Sequence, residues 1–554
     1  MAHSRRSLRS WLRKLLVAAA LCLTILLYAR LSVLPPKYIP VCLRSTRMSE
    51  AMLMLLRQSV INNPSKIFSS DPDDHQPYER LNFSGFMNIG TPDGPVCDDI
   101  LLPTQNLEVS PSIYLEHNVL DIAETIVHPM VDYAGQPTDM SYRQIVAKTW
   151  GTMAGSSVWL EKQGVYFSVS RVFFYTQGVK HWPKISFAYA QIYDSSWRQL
   201  HNYNISWQGE TIVFPRILDI PAFYQVGGGF YGPEDPRIIL EQGVEDAEPV
   251  VVFNMLHEKS ERKMHVHRPF SNYTTLLRID GEDAAMAEKN WSPFFMPRNT
   301  VEQRRWPSNH VHFIYNWSPL KILRCHLLNG HCSFVYKQDQ PTVKWSSYTE
   351  AHKYNDTKGV MRGGTNFEPL NVSPGPGLTS FVGLPRTHTD AGCGKEAIYR
   401  PVLTVLTTNG THFYLDYMSA ALDFGHAILT HNQYNDVCEE GRILLANSII
   451  KFDSRPNHDT LTVSFTVADS TVQVAKLRGI TNLVENLPPF QLNGTAEWHN
   501  EVIQHSKLNV THDVLVCAIQ SVSDYALLYT NVTDREATVP LLQATASLND
   551  LTFE

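Results

Sequence analysis

The run Gly227-Gly228-Gly229-Phe230-Tyr231-Gly232-Pro233-Glu234-Asp235-Pro236-Arg237 brings two carboxylic acids and a guanidinium together, just ahead of the apolar run Ile238 to Leu240. A carboxylate on a short, stiff segment at the lip of a strand can take a proton from a hydroxyl or hand one to a leaving group. Glycines let a backbone approach other groups closely, and the prolines on either side of the acidic pair restrict its dihedrals. Because a proline steers the preceding residue toward extended geometry, Asp235 is expected to be extended, with its carboxylate fixed before the strand. A solvated Pro-Glu-Asp-Pro turn is the competing reading. The glycine run and the adjacent Arg237 weigh against it.

Such an acid needs a rigid frame. From about Ser156 to Ile480 the chain is written in short β-type runs punctuated by Gly, Asn and Pro. They are Gly164 to Tyr175, Ile185 to Tyr193, Pro249 to Leu256, Thr274 to Ile279, Val311 to Tyr315, Leu378 to Gly383, Val402 to Leu406, Ile443 to Phe452 and Leu461 to Val474. Helical periodicity is almost absent, which predicts a sandwich, a barrel or a propeller. The tetrad Asn290-Trp291-Ser292-Pro293 recurs as Asn316-Trp317-Ser318-Pro319, and an echo containing tryptophan favours a repeated supersecondary unit. Sheets arrayed around an axis would bring Ser170-Arg171, Glu234-Asp235, Asn290-Trp291 and Gly363-Gly364 to one central pocket. The expected fold is mainly β, a five-bladed β-propeller over residues 151–480. A C-terminal extension follows over 481–554, with strands such as Val514 to Ile519.

The N-terminus carries Arg5, Arg6, Arg9, Arg13 and Lys14, then an apolar run from Leu15 to Leu34 broken only by Arg30. Its length suits a thin bilayer, and the basic flank belongs on the cytosolic side. The reading is a cytosolic tail over 1–14, a transmembrane signal anchor over 15–34 and a lumenal stem over 35–150 that partly wraps the main domain. This makes a type II Golgi protein; a cleaved signal peptide is the rival. Apart from Cys22 in the anchor, Cys42, Cys97, Cys325, Cys332, Cys393, Cys438 and Cys517 show no zinc spacing, so disulfides are expected. Cys325 and Cys332 flank the turn signal Asn329-Gly330 and are the pair of choice, with Cys393–Cys438 second. The net charge of −7, with Lys and Arg dispersed, gives no sign of a nucleic-acid partner. Sequons at Asn82, Asn204, Asn272, Asn355, Asn409, Asn493, Asn509 and Asn531 fit the secretory route.

The chain resembles the fungal β-1,2-mannosyltransferases that cap cell-wall mannans. The likeness rests on Ser157-Val158-Trp159-Leu160 with Gly164-Val165-Tyr166 and Ser170-Arg171, on Gly232 to Arg237, and on Lys289-Asn290-Trp291-Ser292-Pro293-Phe294. It continues through Arg362-Gly363-Gly364-Thr365, Gly383-Leu384-Pro385-Arg386-Thr387-His388, Cys393-Gly394 and Tyr399-Arg400-Pro401. A more distant likeness is to inverting mannoside phosphorylases with a five-bladed propeller, and Val467-Ala468-Asp469-Ser470 belongs with it. The resemblance implies transfer of mannose from GDP-mannose onto the 2-hydroxyl of a terminal mannose in an oligomannoside or mannan acceptor, with inversion to a β linkage.

The implied base is Asp235, acting directly or through a sugar hydroxyl, with Glu234 orienting a sugar or an arginine. Arg171, Arg237, Lys289, Arg362, Arg386 and His388 form the set for the leaving diphosphate, with backbone N–H groups of Gly363-Gly364 in reserve. Asn290 and Asp469 lie in the matched segments as substrate-binding residues. Trp291 and Trp317 offer faces for stacking on sugars, against the alternative of ordinary core packing. The acid cluster Asp71-Pro72-Asp73-Asp74 lies in the stem, far from these segments, so no metal is predicted. Asn290 and Asn316 are expected to stay unglycosylated. Two other readings compete: a hydrolase or phosphorylase on the same scaffold, which by inversion with water needs a second carboxylate, and a membrane-anchored lectin.

Overall fold

The computed structural model describes residues 78–83, 107–490, 515, 517 and 518, apart from 135, 138, 177–179, 181, 258–260, 282–286, 299, 318, 339–360, 390–397, 431–432, 434–440, 455–458 and 488–489. Five sheets follow one another along the chain, antiparallel except where Arg278–Ile279 runs parallel to His331–Lys337 at the edge of the third, which divides the expected strand Thr274 to Ile279 between two sheets. The first is built from Trp150–Leu160, Val165–Tyr175, Pro183–Tyr193 and Arg216–Ile217. Glu234–Ile239, Val250–Leu256, Arg262–Arg268 and Tyr273–Leu276 make the second. The third takes Ser292–Phe294, His310–Trp317, Leu320–His326 and His331–Lys337. Glu368–Pro369, Thr379–Gly383, Thr404–Thr408 and Phe413–Met418 form the fourth, beside a smaller sheet of Met361–Gly364, Pro385–Thr389 and Ile398–Pro401.

Leu444–Asp453, Thr460–Val467 and Gln473–Arg478 supply the fifth. It is completed from the far end of the chain. Glu108–Val109 and Ile113–Tyr114 both pair with Gln473–Arg478, and Glu79–Arg80 adds outside Glu108–Val109. The segment read as wrapping the main domain therefore contributes strands to its last sheet, and two short helices, Val119–Thr125 and Tyr142–Thr149, besides. The second helix opens on a capping box between Ser141 and Gln144.

Alternating strands put one apolar face of each sheet against the next sheet. Val158, Phe167 and Ala190 of the first pack with Ile238, Val251 and Phe253 of the second, and Val250 and Val252 pack with Val311 and Phe313 of the third. Ile314 and Ile322 meet Phe381 and Leu406 of the fourth, whose Val382 and Val405 meet Ile449 and Val463 of the fifth. Tyr166 and Tyr193 share a core with Ile450, Val472 and Val474, so the fifth sheet returns to the first. The leading strands are stitched together by short polar side chains. Ser156 Oγ accepts the Ile238 N–H at 2.8 Å, Ser448 Oγ accepts the Ser157 N–H at 2.9 Å, and Asn366 bonds both backbone groups of Ile449.

Three expectations need correction. Leu461 to Val474 is two strands, broken by a turn in which Ala468 and Asp469 take φ of +53° and +47°. The Asn-Trp-Ser-Pro echo is not a repeated unit: Asn290 leads into one strand of the third sheet, and Asn316 lies near the end of its antiparallel neighbour, with Ser292 opposite Ile314. The expected strand Val514 to Ile519 is helical at its described residues, where Leu515 and Ala518 reach the third-to-fourth-sheet core at i, i+3 spacing.

The Cys325–Cys332 disulfide forms as expected, with those residues opposite each other across the hairpin. Cys517 is also disulfide-bonded. Cys393, Cys438, the run Leu15 to Leu34 and the cluster Asp71 to Asp74 lie outside the described residues. Among the described residues no helix is long and apolar enough to cross a membrane.

Candidate active site

Asp235 sits on a bulge. The register between the first two strands of the second sheet shifts between Glu234 and Arg237. Asp235 has φ +50°, not the extended geometry that Pro236 alone would favour. The extra residue of a bulge turns a side chain away from the regular pleat, and such positions recur beside active sites. The glycine approach does what close packing requires at Gly232, whose φ is +79° and where a Cβ would lie 2.0 Å from the Ser186 carbonyl.

Arg237 holds the bulge from behind. Its Nε donates to the Gly364 carbonyl at 2.8 Å and its Nη1 to the Pro236 carbonyl at 3.0 Å, and the side chain is buried. It is a positioning residue and not a ligand for a leaving group. Glu234 pairs with an arginine: Arg262 Nη2 lies 3.3 Å from its carboxylate.

The Asp235 carboxylate is 3.5 Å from Arg171 and keeps 30% of its surface accessible. Burial pushes its pKa up, but Arg171, Arg237, Arg386 and Lys289 together outweigh that and hold it below the ordinary carboxylate value. Arg171 is fixed by its Nε–H to Ser186 Oγ at 3.0 Å and rests over the Phe173 ring. Arg386 donates to Asn290 Oδ1 at 2.5 Å, while its buried Nε has no partner among the described residues. The Lys289 pKa falls through desolvation of its ammonium and the charges of the neighbouring Arg362 and Arg262. The positive groups outnumber the carboxylates, which suits a polyanionic ligand.

Asp469 answers Asp235. The turn after Thr460–Val467 aims it into a cavity of about 390 Å³ that Arg171, Glu234, Lys180, Arg442, Phe230 and Met153 also line. Desolvation first, and then the charge of Asp235, raises its pKa, against the pull of Arg386, Lys180 and Arg171. Two carboxylates thus share one site with their proton affinities pushed apart.

The expected set is brought together with some changes of role. Gly363 and Gly364 serve close approach: a Cβ would stand 2.6 Å from the Asn290 carbonyl at Gly363 and 2.2 Å from the Leu384 carbonyl at Gly364. Trp291 and Trp317 are each 3% exposed and belong to the core, so neither presents a face to a sugar. The Trp291 indole N–H instead donates to Glu288, steadying the segment that carries Lys289 and Asn290. His388 lies in the strand Pro385–Thr389, and its side chain is outside the described residues. The Asn290 side chain accepts from Arg386, and Asn316 is buried with its amide donating to the Pro319 carbonyl. Among the described residues no group of three or more His, Cys, Asp or Glu is placed to hold a metal ion.

Lys180, Arg262 and Arg442 were missed. Arg442 carries a legible signal, since it lies two residues before the leading strand of the fifth sheet just as Asn290 lies two residues before that of the third. Lys180 sits in a connection with no motif around it.

Residues 104–272 and 263–525 match the family model described as Beta-mannosyltransferases. Beta-mannosyltransferase 2 of Komagataella phaffii is 29% identical over 413 residues, covering 70% of this chain and 61% of that protein. Beta-mannosyltransferase 1 of the same organism is 30% identical over 422 residues, with 71% and 61% covered. Beta-mannosyltransferase 8 of Candida albicans is 26% identical over 582 residues, with 84% and 81% covered. The chain thus spans about six-tenths of the length of the first two relatives. Among solved structures, the beta-1,2-mannobiose phosphorylase from Listeria innocua gives a TM-score of 0.37 at 12% identity, covering 61% of this chain and 93% of that one.

Proposed function

The chain belongs to the β-mannosyltransferase family, and from that premise we propose that it transfers mannose from GDP-mannose, with inversion, to the 2-hydroxyl of a terminal mannose. The observation that carries this reading is Asp235, a carboxylate held ionised by Arg171 at 3.5 Å and by the charges of Arg237, Arg386 and Lys289. The acceptor hydroxyl gives its proton to Asp235, directly or through a sugar hydroxyl, as its oxygen bonds to the anomeric carbon. The bond from that carbon to the diphosphate breaks on the opposite face, and GDP leaves with the electron pair. Lys289, Arg386 and Arg362 meet the negative charge. The proton on Asp235 then passes to water.

Five sheets in sequence, each sharing a core with the next and the last with the first, support a five-bladed propeller as the frame. The Cys325–Cys332 disulfide supports an oxidising compartment. The same proposal places a cytosolic tail over 1–14, a type II anchor over 15–34 in the Golgi membrane, and a mannan or oligomannoside acceptor of the fungal cell wall.

One observation favours a second reading. Asp469, whose proton affinity is raised beside Asp235, supplies the second carboxyl group that an inverting hydrolase needs, as the acid for the leaving group while the ionised Asp235 activates water. Incubating the full chain with GDP-[labelled]mannose and α-1,2-mannobiose, then digesting the product with anomer-specific mannosidases, separates the two. A labelled trisaccharide cut only by β-mannosidase is expected. An α-linked product, or free mannose without transfer, overturns the first reading.

A further inference from the structure

The cavity has an aromatic rim that the transfer step does not use. Phe230 lines it together with Pro183 and Lys180. The Trp182 indole packs on the Phe230 ring with centroids 5.0 Å apart, yet 63% of Trp182 remains in water. An exposed indole seated on a second aromatic ring beside a charged cavity offers an apolar face with a polar N–H at its edge, the combination suited to a contact that is half wet. The backbone holds this pair in place. The Phe230 N–H donates to the Pro183 carbonyl at 2.7 Å and the Tyr231 N–H to the Lys184 carbonyl at 3.3 Å, so the loop bearing Phe230 is latched to the segment bearing Trp182. Phe230 itself has φ +62°, a conformation that bulky residues avoid. Its ring also lies 5.4 Å under the Arg262 guanidinium, the partner of Glu234. The ledge is thereby coupled to the acidic pair.

We propose that Trp182 and Phe230 form a stacking subsite for a sugar ring of the acceptor chain, at least one unit back from the hydroxyl that receives mannose. This rests on the transfer reading above and goes beyond it in assigning acceptor-length specificity. An indole face matches the C–H face of a pyranose, and its edge tolerates the surrounding water. A sugar is the favoured occupant because the ledge continues a cavity lined by Arg171, Lys180, Glu234 and Asp469, groups that bind hydroxyls and anions.

Initial rates of the full chain and its W182A variant with GDP-mannose and α-1,2-linked mannobiose, mannotriose and mannotetraose test this. The native chain is expected to show KM falling as the acceptor lengthens. W182A should flatten that trend and raise KM for mannotetraose about tenfold, with a smaller change in kcat, and W182F should recover most of the difference. Trp306→Ala, at a tryptophan 72% exposed elsewhere on the surface, serves as the control and should leave the series as it is. The same KM series in W182A as in the native chain overturns the ledge while leaving transfer standing, and that is also the result if Trp182 meets a lipid or a protein instead. If the native chain transfers no mannose, the transfer reading fails, and calorimetric titration with mannotetraose decides the ledge. Weaker binding by W182A supports it; equal binding, or none to either chain, overturns it.

Discussion

Burial alone would leave Asp235 protonated at higher pH than an ordinary aspartate, and the cations around it reverse the outcome. A carboxylate with a lowered pKa is a weak base, so in the proposed transfer proton removal would run together with C–O bond formation and departure of the diphosphate, and the cations that weaken the base would assist that departure. The sign of the pH dependence follows. A lowered pKa keeps Asp235 ionised above its ordinary value of 3.8, so the acid limb of kcat/KM assigned to it should lie below that point. Arg171→Gln removes the nearest positive charge and should move this limb toward neutral pH, which a pH–rate profile would read as a shift of about one unit. An unmoved limb would separate Arg171 from the base. At this scale the sequence was informative where residue type and motif coincide, as at Asp235, Glu234, Arg171 and Arg386. It pointed Arg237 toward the diphosphate and Trp291 toward a sugar face, and could not show what each packs against. Their chemistry would suit a ligand, but the fold turns one onto backbone carbonyls and the other into the core.

Elements place these groups through irregularities in otherwise regular strands. Register shifts at Met153/Ser156, Glu234/Arg237 and Arg362/Gly364 fall among the site residues, while others, such as Ile314/Asn316, Val405/Leu406 and Phe174/Tyr175, serve the sheets alone. The first three bring residues of the site or its lining off the regular pleat. Alternation of apolar residues made most of the strands legible, but a bulge adds one residue without changing composition, and so the φ of Asp235 could not be read from its neighbours. The turn at Ala468-Asp469 was hidden for a related reason, since Val467 and Val472 on either side continue the apolar pattern. Gly363→Ala tests the role of close approach. A Cβ 2.6 Å from the Asn290 carbonyl must displace the Lys289-Asn290 segment, and Asn290 is the acceptor for Arg386. Transfer should fall by at least about tenfold. The variant should still unfold cooperatively, as a calorimetric scan would show. Full activity would mean that the segment can shift at no cost.

On the scale of the molecule, the fifth sheet is completed by strands that lie more than three hundred residues apart in the chain, such as Val109 opposite Leu477. No local pattern announces a pairing of that range, which is why the wrapping segment was legible only as a stem. The fourth sheet also buries a carboxyl group that the proposed transfer does not use. Glu368 accepts from Asn366 Nδ2 at 2.6 Å in the leading strand of the fourth sheet, and burial raises its pKa from 4.5 to about 8. The folded state therefore keeps a proton that the unfolded chain has lost. The stability this confers is complete below pH 4.5 and drains away as the pH rises toward 8. Glu368→Gln keeps an acceptor for Asn366 and removes the titration. Its thermal midpoint should exceed that of the native chain at pH 8 and converge with it near pH 4.5. Parallel midpoints across that window would contradict the assignment.

The central claim is that Asp235 accepts the proton while the cations facing it receive the departing diphosphate, and it is tested most directly by Asp235→Asn, with transfer and GDP binding measured on the same preparation. The amide keeps the shape, loses the base and frees positive charge. Transfer to mannobiose should fall by about 10²-fold or more while GDP binds as tightly as before or more tightly. Transfer at the native rate, or loss of GDP binding in step with activity, would contradict it.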